Sequence, residues 1–403
     1  MGRAAWNVLV FLNAKNNLEV FSISNFLQMA QVGSTPEVNI LVEYGRPKNR
    51  PGGADAGYTR EHGGWSTSLR FRVTKGDTPD EAKALANLGA TNMGDGTTLA
   101  AFLAWARDNH PAERTLLVIW DHGQGWRVEV EGDATRPAGP PGYRYVSHDE
   151  DFGDNLFNRE IQDTLTEVGG VDVVAFDACL MAMLETAYAF RKVSKVLVAS
   201  EELEPGTGWN YARWLEPLVQ ARGDVTPAQL GTLIVDAMKA EYGDLSNTTL
   251  SAIDLTRVSD LSRTLSEFAD TARAALDEDS VAVFKKARFA CKNYAPGMNL
   301  HSIDLARFVD QIANSEVSDE IKTKAAAVRA EIDKAVIANY ASTKRQDKYG
   351  SHGIAIYFPG SAASYRSDPD RDGYEAGNTK YPVEFVDAET WAAFLRRYWS
   401  FVK

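Results

Sequence analysis

The sequence predicts an α/β fold built on a mostly parallel central sheet, and three observations carry that expectation. Five short, continuously apolar runs recur along the first half: "NVLVFLNA" (7 to 14), "EVNILVEY" (37 to 44), "TLLVIW" (115 to 120), "VDVVAFDA" (171 to 178) and "KVLVAS" (195 to 200). Strands that are apolar at every position need cover on both faces, which is the pattern of parallel sheets sandwiched by helices. Amphipathic stretches separate the runs, among them "NLEVFSISNFLQMAQVG" closed by Gly33 and "GTTLAAFLAWARDN" (96 to 109), begun by Thr97 or Thr98 and ended before Pro111. From about residue 257 the texture changes to long helices, expected at 257 to 277, 302 to 314 and 318 to 340.

The remaining elements follow in order. Residues 45 to 75 hold a Gly/Pro-rich loop and then the alternating "WSTSLRFRV", expected as an edge insertion. A helix is expected at 158 to 168, another at 180 to 191, and "NTTLSAIDLT" (247 to 256) supplies a sixth strand. The division expected is an α/β core over 1–256 and a helix-rich region over 257–403 packed on it, with "HGIAIYFP" returning as a β run at 352.

Composition narrows the function. A chain of 403 residues with 44% hydrophobic content can bury a full core, and a net charge of -12 without a Lys/Arg cluster argues against nucleic-acid partners. Two cysteines are too few for a disulfide framework, and neither lies in a zinc or redox spacing. No membrane span and no signal-peptide layout are expected, which leaves the compartment open, as it leaves the oligomeric state.

Two residues stand out by placement. His122 comes two residues after one core strand and Cys179 just after another, and in open α/β sheets ligands bind outside the carboxyl ends of the strands. A thiol nucleophile with an imidazole to take and return its proton is the chemistry this pairing suits. A helix expected to begin near Leu180 would lower the thiol pKa through its dipole. The backbone N–H groups of Gly123 and Cys179 would face a developing oxyanion. Asp177 leaves the same face of the strand as Cys179 and would recognise a cationic group, orient His122 or cap the turn. Without such a setting, a lone cysteine after an apolar strand is core filler.

These residues sit in text that resembles the clostripain-like cysteine peptidases, relatives of caspases and gingipains: "WNVLVFLNAKNNLE", "NMGDGTTLAAFLAWARDNHPAERTLLVIWDHGQGW", "VDVVAFDACLMAMLETAYAF", "VLVASEELEPGTGWNY" and "GIAIYFP", in order along the core. The resemblance implies a caspase-like α/β/α sandwich, a dyad of His122 and Cys179, an oxyanion hole from the Gly123 and Cys179 amides, and peptide or protein substrates cut after Arg or Lys. It implies that Asp177 lines the primary pocket, with Glu201 and Glu202 adding negative field and Lys15 opposing it if it points inward. No cofactor is implied for the chemistry, calcium is a candidate, and a secreted or cell-envelope location is what the resemblance favours. Gln124 and a Pro-rich loop after Trp126 depart from the family pattern.

Family members are often matured by self-cleavage between His and Cys, and here that loop carries Arg127, Arg136 and Arg144, with Arg136 and Arg144 the expected cut sites. "DPDRDG" places Asp368, Asp370 and Asp372 in a DxDxDG arrangement that suits a hard cation, although Thr379 stands where an EF-hand has its glutamate. The expectation is a cysteine endopeptidase. Its rivals are a catalytically silent caspase-like module that binds peptides or proteins, and an esterase or amidase using the same dyad.

Overall fold

Every residue from Val8 to Leu12 and from Leu116 to Trp120 is buried, so these strands are covered on both faces. In the computed structural model, which describes residues 2–127, 146–244, 247–298, 300–343, 350–379 and 382–403, they sit at the centre of the main sheet. The strands in chain order are β1 (Ala4–Asn13), β2 (Val38–Gly45), β3 (Ser68–Arg72), β4 (Ala86–Asn87), β5 (Ala112–Trp120), β6 (Val146–Asp149), β7 (Asp154–Leu156), β8 (Val173–Asp177), β9 (Val196–Ala199), β10 (Thr249–Asp254), β11 (Ser302–Asp304), β12 (Val336–Ala341) and β13 (Ala355–Tyr357).

Nine of them form one sheet in the order β12-β10-β9-β8-β5-β1-β2-β3-β4. The five strands read from continuous apolar runs, β2, β1, β5, β8 and β9, pair parallel. Both edges are antiparallel: β3, from the segment expected as an edge insertion, and β4, which follows it, on one side, and β10 and β12 on the other. The α/β/α sandwich expected from the sequence is the architecture observed.

Alternate side chains feed two cores. Val8, Val10, Leu116, Val118 and Trp120 pack under the helices Glu19–Val32, Tyr211–Gln220 and Pro227–Tyr242. Leu9, Phe11, Leu117, Ile119 and Phe176 pack on the opposite face under Gly96–Asn109, Asn158–Val168 and Leu184–Phe190. That second cluster continues without a break into Phe308, Phe358, Trp391 and Phe394, so the region after 256 shares a core with the sheet.

Several boundaries differ from expectation. The helix at 96–109 is capped by Asp95, whose side chain accepts from Thr97 N–H, rather than by either threonine. The stretch expected as one helix from 318 to 340 is helical only over Asp319–Ala335 and then becomes β12, because Val336 and Ile337 are β-branched and the edge of β10 offers them a ladder. Residues 302 to 304 are strand β11, not helix. No helix among the described residues is long and apolar enough to cross a membrane.

Trp391 locks the C-terminal helix Trp391–Phe401 to this core: it is fully buried, stands edge-on to Phe358 and donates its indole N–H to Tyr357 O at 3.0 Å. Trp391→Ala should cost about 3–5 kcal/mol, read as a lower urea midpoint.

Candidate active site

Parallel pairing of β5 with β8 sets Trp120 opposite Asp177, so the two chains leave the sheet side by side. His122 and Cys179 each lie two residues beyond that last rung. The turns they occupy touch: a Cβ on Gly123 would stand 2.4 Å from Cys179 O and 3.0 Å from the Ala178 methyl. Only glycine fits there, and its absence of a side chain is what lets the histidine turn lie on the cysteine turn.

His122 is held from behind by a network that sequence reading did not anticipate. Its main-chain N–H donates to Asp121 Oδ1 at 2.6 Å, and the other Asp121 oxygen accepts from His148 N–H. Asn16 Nδ2 donates to Asp121 Oδ1 at 2.8 Å, binding this loop to the turn after β1. The ring Nε2 meets Asn17 Oδ1 at 2.8 Å, so Nε2 carries the proton and Nδ1 is left with its lone pair. Burial, with the nearby His148, pushes the His122 pKa down to about 4. At neutral pH this imidazole is an uncharged base.

Cys179 differs from expectation in one respect. It stands in a turn and the following helix begins only at Leu184, so the helix dipole does not reach the thiol. Instead, Leu180 takes a left-handed φ of 65° and donates its N–H to Glu202 O, which folds the turn back toward 200–204. The Cys179 sulfur accepts the main-chain N–H of Glu204 at 3.3 Å. Burial, together with the charges of Glu204, Glu202 and Asp177, pushes the thiol up to about 12. The resting group is a thiol.

Between His122 and Cys179 opens a pocket of about 200 Å³ whose wall includes Leu18, Trp120, Asp177, Glu204 and Gly208. Asp177 is buried, and accepts from the Trp209 N–H at 3.2 Å and from the Tyr211 hydroxyl at 2.9 Å. A Cβ on Gly208 would come within 2.7 Å of Asp177 Oδ1, so the carboxyl packs against bare backbone. Beside it stands the Glu204 carboxyl, both of whose oxygens are sealed from solvent. The Asp177 carboxyl and the Trp209 indole lie near Glu204 without closing a hydrogen bond to it. Burial first, and then the neighbouring carboxyl, raises Glu204 well above the carboxylate range. Burial also raises Asp177, less so because its donors favour the charge.

Glu201 and Glu202, the acids expected in the pocket, face elsewhere. Glu201 accepts from Gly353 N–H behind the sheet, and Glu202 Oε1 takes the N–H groups of Leu203 and Ala295. Three acids follow β9 in "EELE", and position alone selects the first two; the outward step at Leu203 delivers the third. Lys15 points away as well, with its ammonium 3.2 Å from Asp149 Oδ2.

The DxDxDG stretch receives a cation of another kind. Arg127, directly after the histidine turn, is buried with Nη2 3.0 Å from Asp368 Oδ2 and Nε 3.3 Å from Asp370 Oδ2, and Nη2 also donates to Leu300 O. Asp368 accepts the Tyr357 hydroxyl too, while Asp372 turns to Arg371. The calcium reading of Asp368, Asp370 and Asp372 gives way to an arginine clamp, and no group of three or more metal-ligating side chains occurs among the described residues. Arg136 and Arg144 lie outside the described residues.

A thiol and an imidazole thus line one pocket at the carboxyl edge of a mixed α/β sandwich. The sequence matches the clostripain family over residues 10–399, and the chain belongs to that family: it is a cysteine peptidase. It is 22% identical over 412 residues to clostripain of Hathewaya histolytica, covering 89% of this chain and 75% of that one. Among solved structures it resembles a secreted C11 cysteine protease of Bacteroides thetaiotaomicron in complex with an irreversible peptide inhibitor, with a TM-score of 0.65, 18% identity and coverage of 97% and 100%. It also resembles an inactive zymogen C11 protease of Parabacteroides distasonis, with a TM-score of 0.62, 18% identity and coverage of 89% and 92%.

A carboxyl whose folded pKa exceeds its unfolded value binds the extra proton in the folded state. Its stabilising effect is therefore complete below the unfolded pKa of about 4.3 and is lost as pH rises through the folded one. Glu204 is thus a cost at neutral pH. Glu204→Gln should raise stability at pH 7 by roughly 1 kcal/mol and flatten the fall in thermal midpoint expected between pH 4 and 7 in the wild type.

Proposed function

We propose that the protein is an endopeptidase cutting after Arg or Lys, with Cys179 as nucleophile and His122 as general base and acid. The observation that carries this reading is the pocket floor: two buried carboxyls, Asp177 and Glu204, line the same cavity as the thiol and the imidazole. Burying two acids without a cation is unfavourable, and a guanidinium or ammonium from a substrate side chain supplies what they lack.

The chemistry follows from the groups in place. The Cys179 proton passes to His122 Nδ1, the neutral and unprotonated nitrogen, while Asn17 holds the ring through Nε2. The sulfur attacks the scissile carbonyl, and the Gly123 and Cys179 amides take the oxyanion. The imidazolium then protonates the leaving amine, and water hydrolyses the thioester by the same route reversed.

Hydrolysis of short Arg, Lys and Asp fluorogenic peptides tests the reading. Cys179→Ala should abolish turnover, and Asp177→Asn should weaken Arg and Lys substrates by ten-fold or more, about 1.4 kcal/mol, while leaving a neutral substrate unchanged. Equal slowing on every substrate would make Asp177 an orienting residue instead.

We also infer maturation by self-cleavage after Arg136 or Arg144. The Parabacteroides relative is described as an inactive zymogen, and Arg127 is withdrawn from any such role by its burial against Asp368. Active wild type should run as two bands on a denaturing gel and Cys179→Ala as one; active wild type running as a single band would refute it. Secretion or attachment to the cell envelope remains the favoured location, in keeping with the secreted Bacteroides relative.

A further inference from the structure

Glu204 touches the nucleophile and the pocket at once. Its main-chain N–H is hydrogen-bonded to the Cys179 sulfur, and its side chain stands in the cavity where a substrate cation would sit. Both carboxyl oxygens are buried and neither closes a hydrogen bond. A buried acceptor without donors is costly, and structures keep such groups where an incoming partner satisfies them.

The charges around the thiol are one-sided. Glu204 and Asp177 line its pocket and Glu202 lies close behind, and each of these acids, when ionised, opposes a second negative charge. The Tyr211 hydroxyl and the Trp209 N–H partner Asp177, and Tyr242 closes the far side by donating to Gly208 O; all are neutral. On the other wall, His122 is uncharged, and Asp121 behind it brings no positive charge. The Lys15 ammonium is committed to Asp149. With the pocket empty, nothing cationic among these neighbours offsets the acids.

We propose that the cation of the substrate switches on the nucleophile: a guanidinium seated between Asp177 and Glu204 cancels the negative field that opposes ionisation of Cys179. Glu204 is then a specificity-determining residue that acts on the rate of acylation as well as on affinity. This rests on the pocket taking a basic side chain. In the step concerned the thiol proton goes to His122 Nδ1, the sulfur lone pair forms the C–S bond, the C–N bond breaks, and the departing nitrogen takes the proton back from the imidazolium. The guanidinium is not consumed. A neutral substrate binding the same groove leaves the acids uncompensated, so discrimination appears in kcat and not in KM alone.

Alkylation of Cys179 by iodoacetamide separates activation from binding, because the reagent is small, neutral and makes no use of the pocket. In that reaction the thiolate displaces iodide and the thiol proton passes to His122 or solvent. The rate at Cys179 is followed by peptide mass spectrometry, which distinguishes it from Cys291, with and without methylguanidine at concentrations that inhibit hydrolysis of an Arg peptide. Each unit of fall in thiol pKa raises the thiolate fraction about ten-fold, so methylguanidine should accelerate alkylation of the wild type several-fold where a simple blocker would protect. At a pH high enough to ionise the carboxyl, Glu204→Gln should react faster than wild type without methylguanidine and gain little from it, while Glu204→Asp, which keeps a carboxyl, should keep the acceleration. Methylguanidine that inhibits hydrolysis yet leaves alkylation unchanged or slower would overturn the inference and leave the basic pocket standing. Methylguanidine without effect on either reaction, in an enzyme that cleaves neutral peptides, would overturn the pocket assignment and the inference with it.

Discussion

One rung of the sheet sets everything else: Trp120 opposite Asp177 in the parallel pairing of β5 and β8. From that rung each chain runs two residues further, one to an imidazole and one to a thiol. A slip by a single residue would turn every side chain of β8 to the other face, removing Phe176 from one core and Asp177 from the pocket together. The register is secured by what flanks it. Val118 and Ala175 lie in one core, Ile119 and Phe176 in the other, so no slipped pairing buries both sets. Packing far from the pocket therefore decides chemistry inside it.

The site is expensive to keep empty. Asp177, Glu204 and Asp121 carry buried carboxyls, and the thiol and imidazole between them are both held neutral. Folding tolerates this because the surrounding cores are large and continuous, and because Asp177 and Asp121 recover part of the cost through several donors each. Glu204 recovers none among the described residues. The tension is of the kind active sites hold, where stability is given up so that a ligand can restore it.

Much of this was legible in the residues, and the failures have physical causes. Continuous apolar runs located the five parallel strands, since two-sided burial leaves no room for polar positions, and strand-end logic then brought His122 and Cys179 together. The resemblance supplied the family. What stayed hidden depends on chain direction within turns. Leu180 bends the chain by a left-handed φ, which delays the helix to Leu184 and takes its dipole away from the sulfur. The same turn chemistry carries Glu204, rather than Glu201 or Glu202, into the pocket. Asn17 gave no signal, because an amide that orients a ring looks like any polar loop residue until the fold sets it 2.8 Å from Nε2. The "DPDRDG" pattern misled for the opposite reason. Carboxylates spaced for a metal serve an arginine equally well, and the cation that claimed Asp368 lies 241 positions away in the chain.

The Arg127 clamp bears on how the chain could be connected. Residues 128 to 145 join two points that are each pinned on their own: Arg127 by Asp368, Asp370 and Leu300, and Val146 by its rung with Leu156. Neither anchor relies on the covalent link between them. Because both anchors are contacts with residues outside 128–145, a break in the backbone between them would leave each anchor in place. The same position is a natural opening for a circular permutant, with new termini between the two anchors and both turns of the site still seated on the sheet.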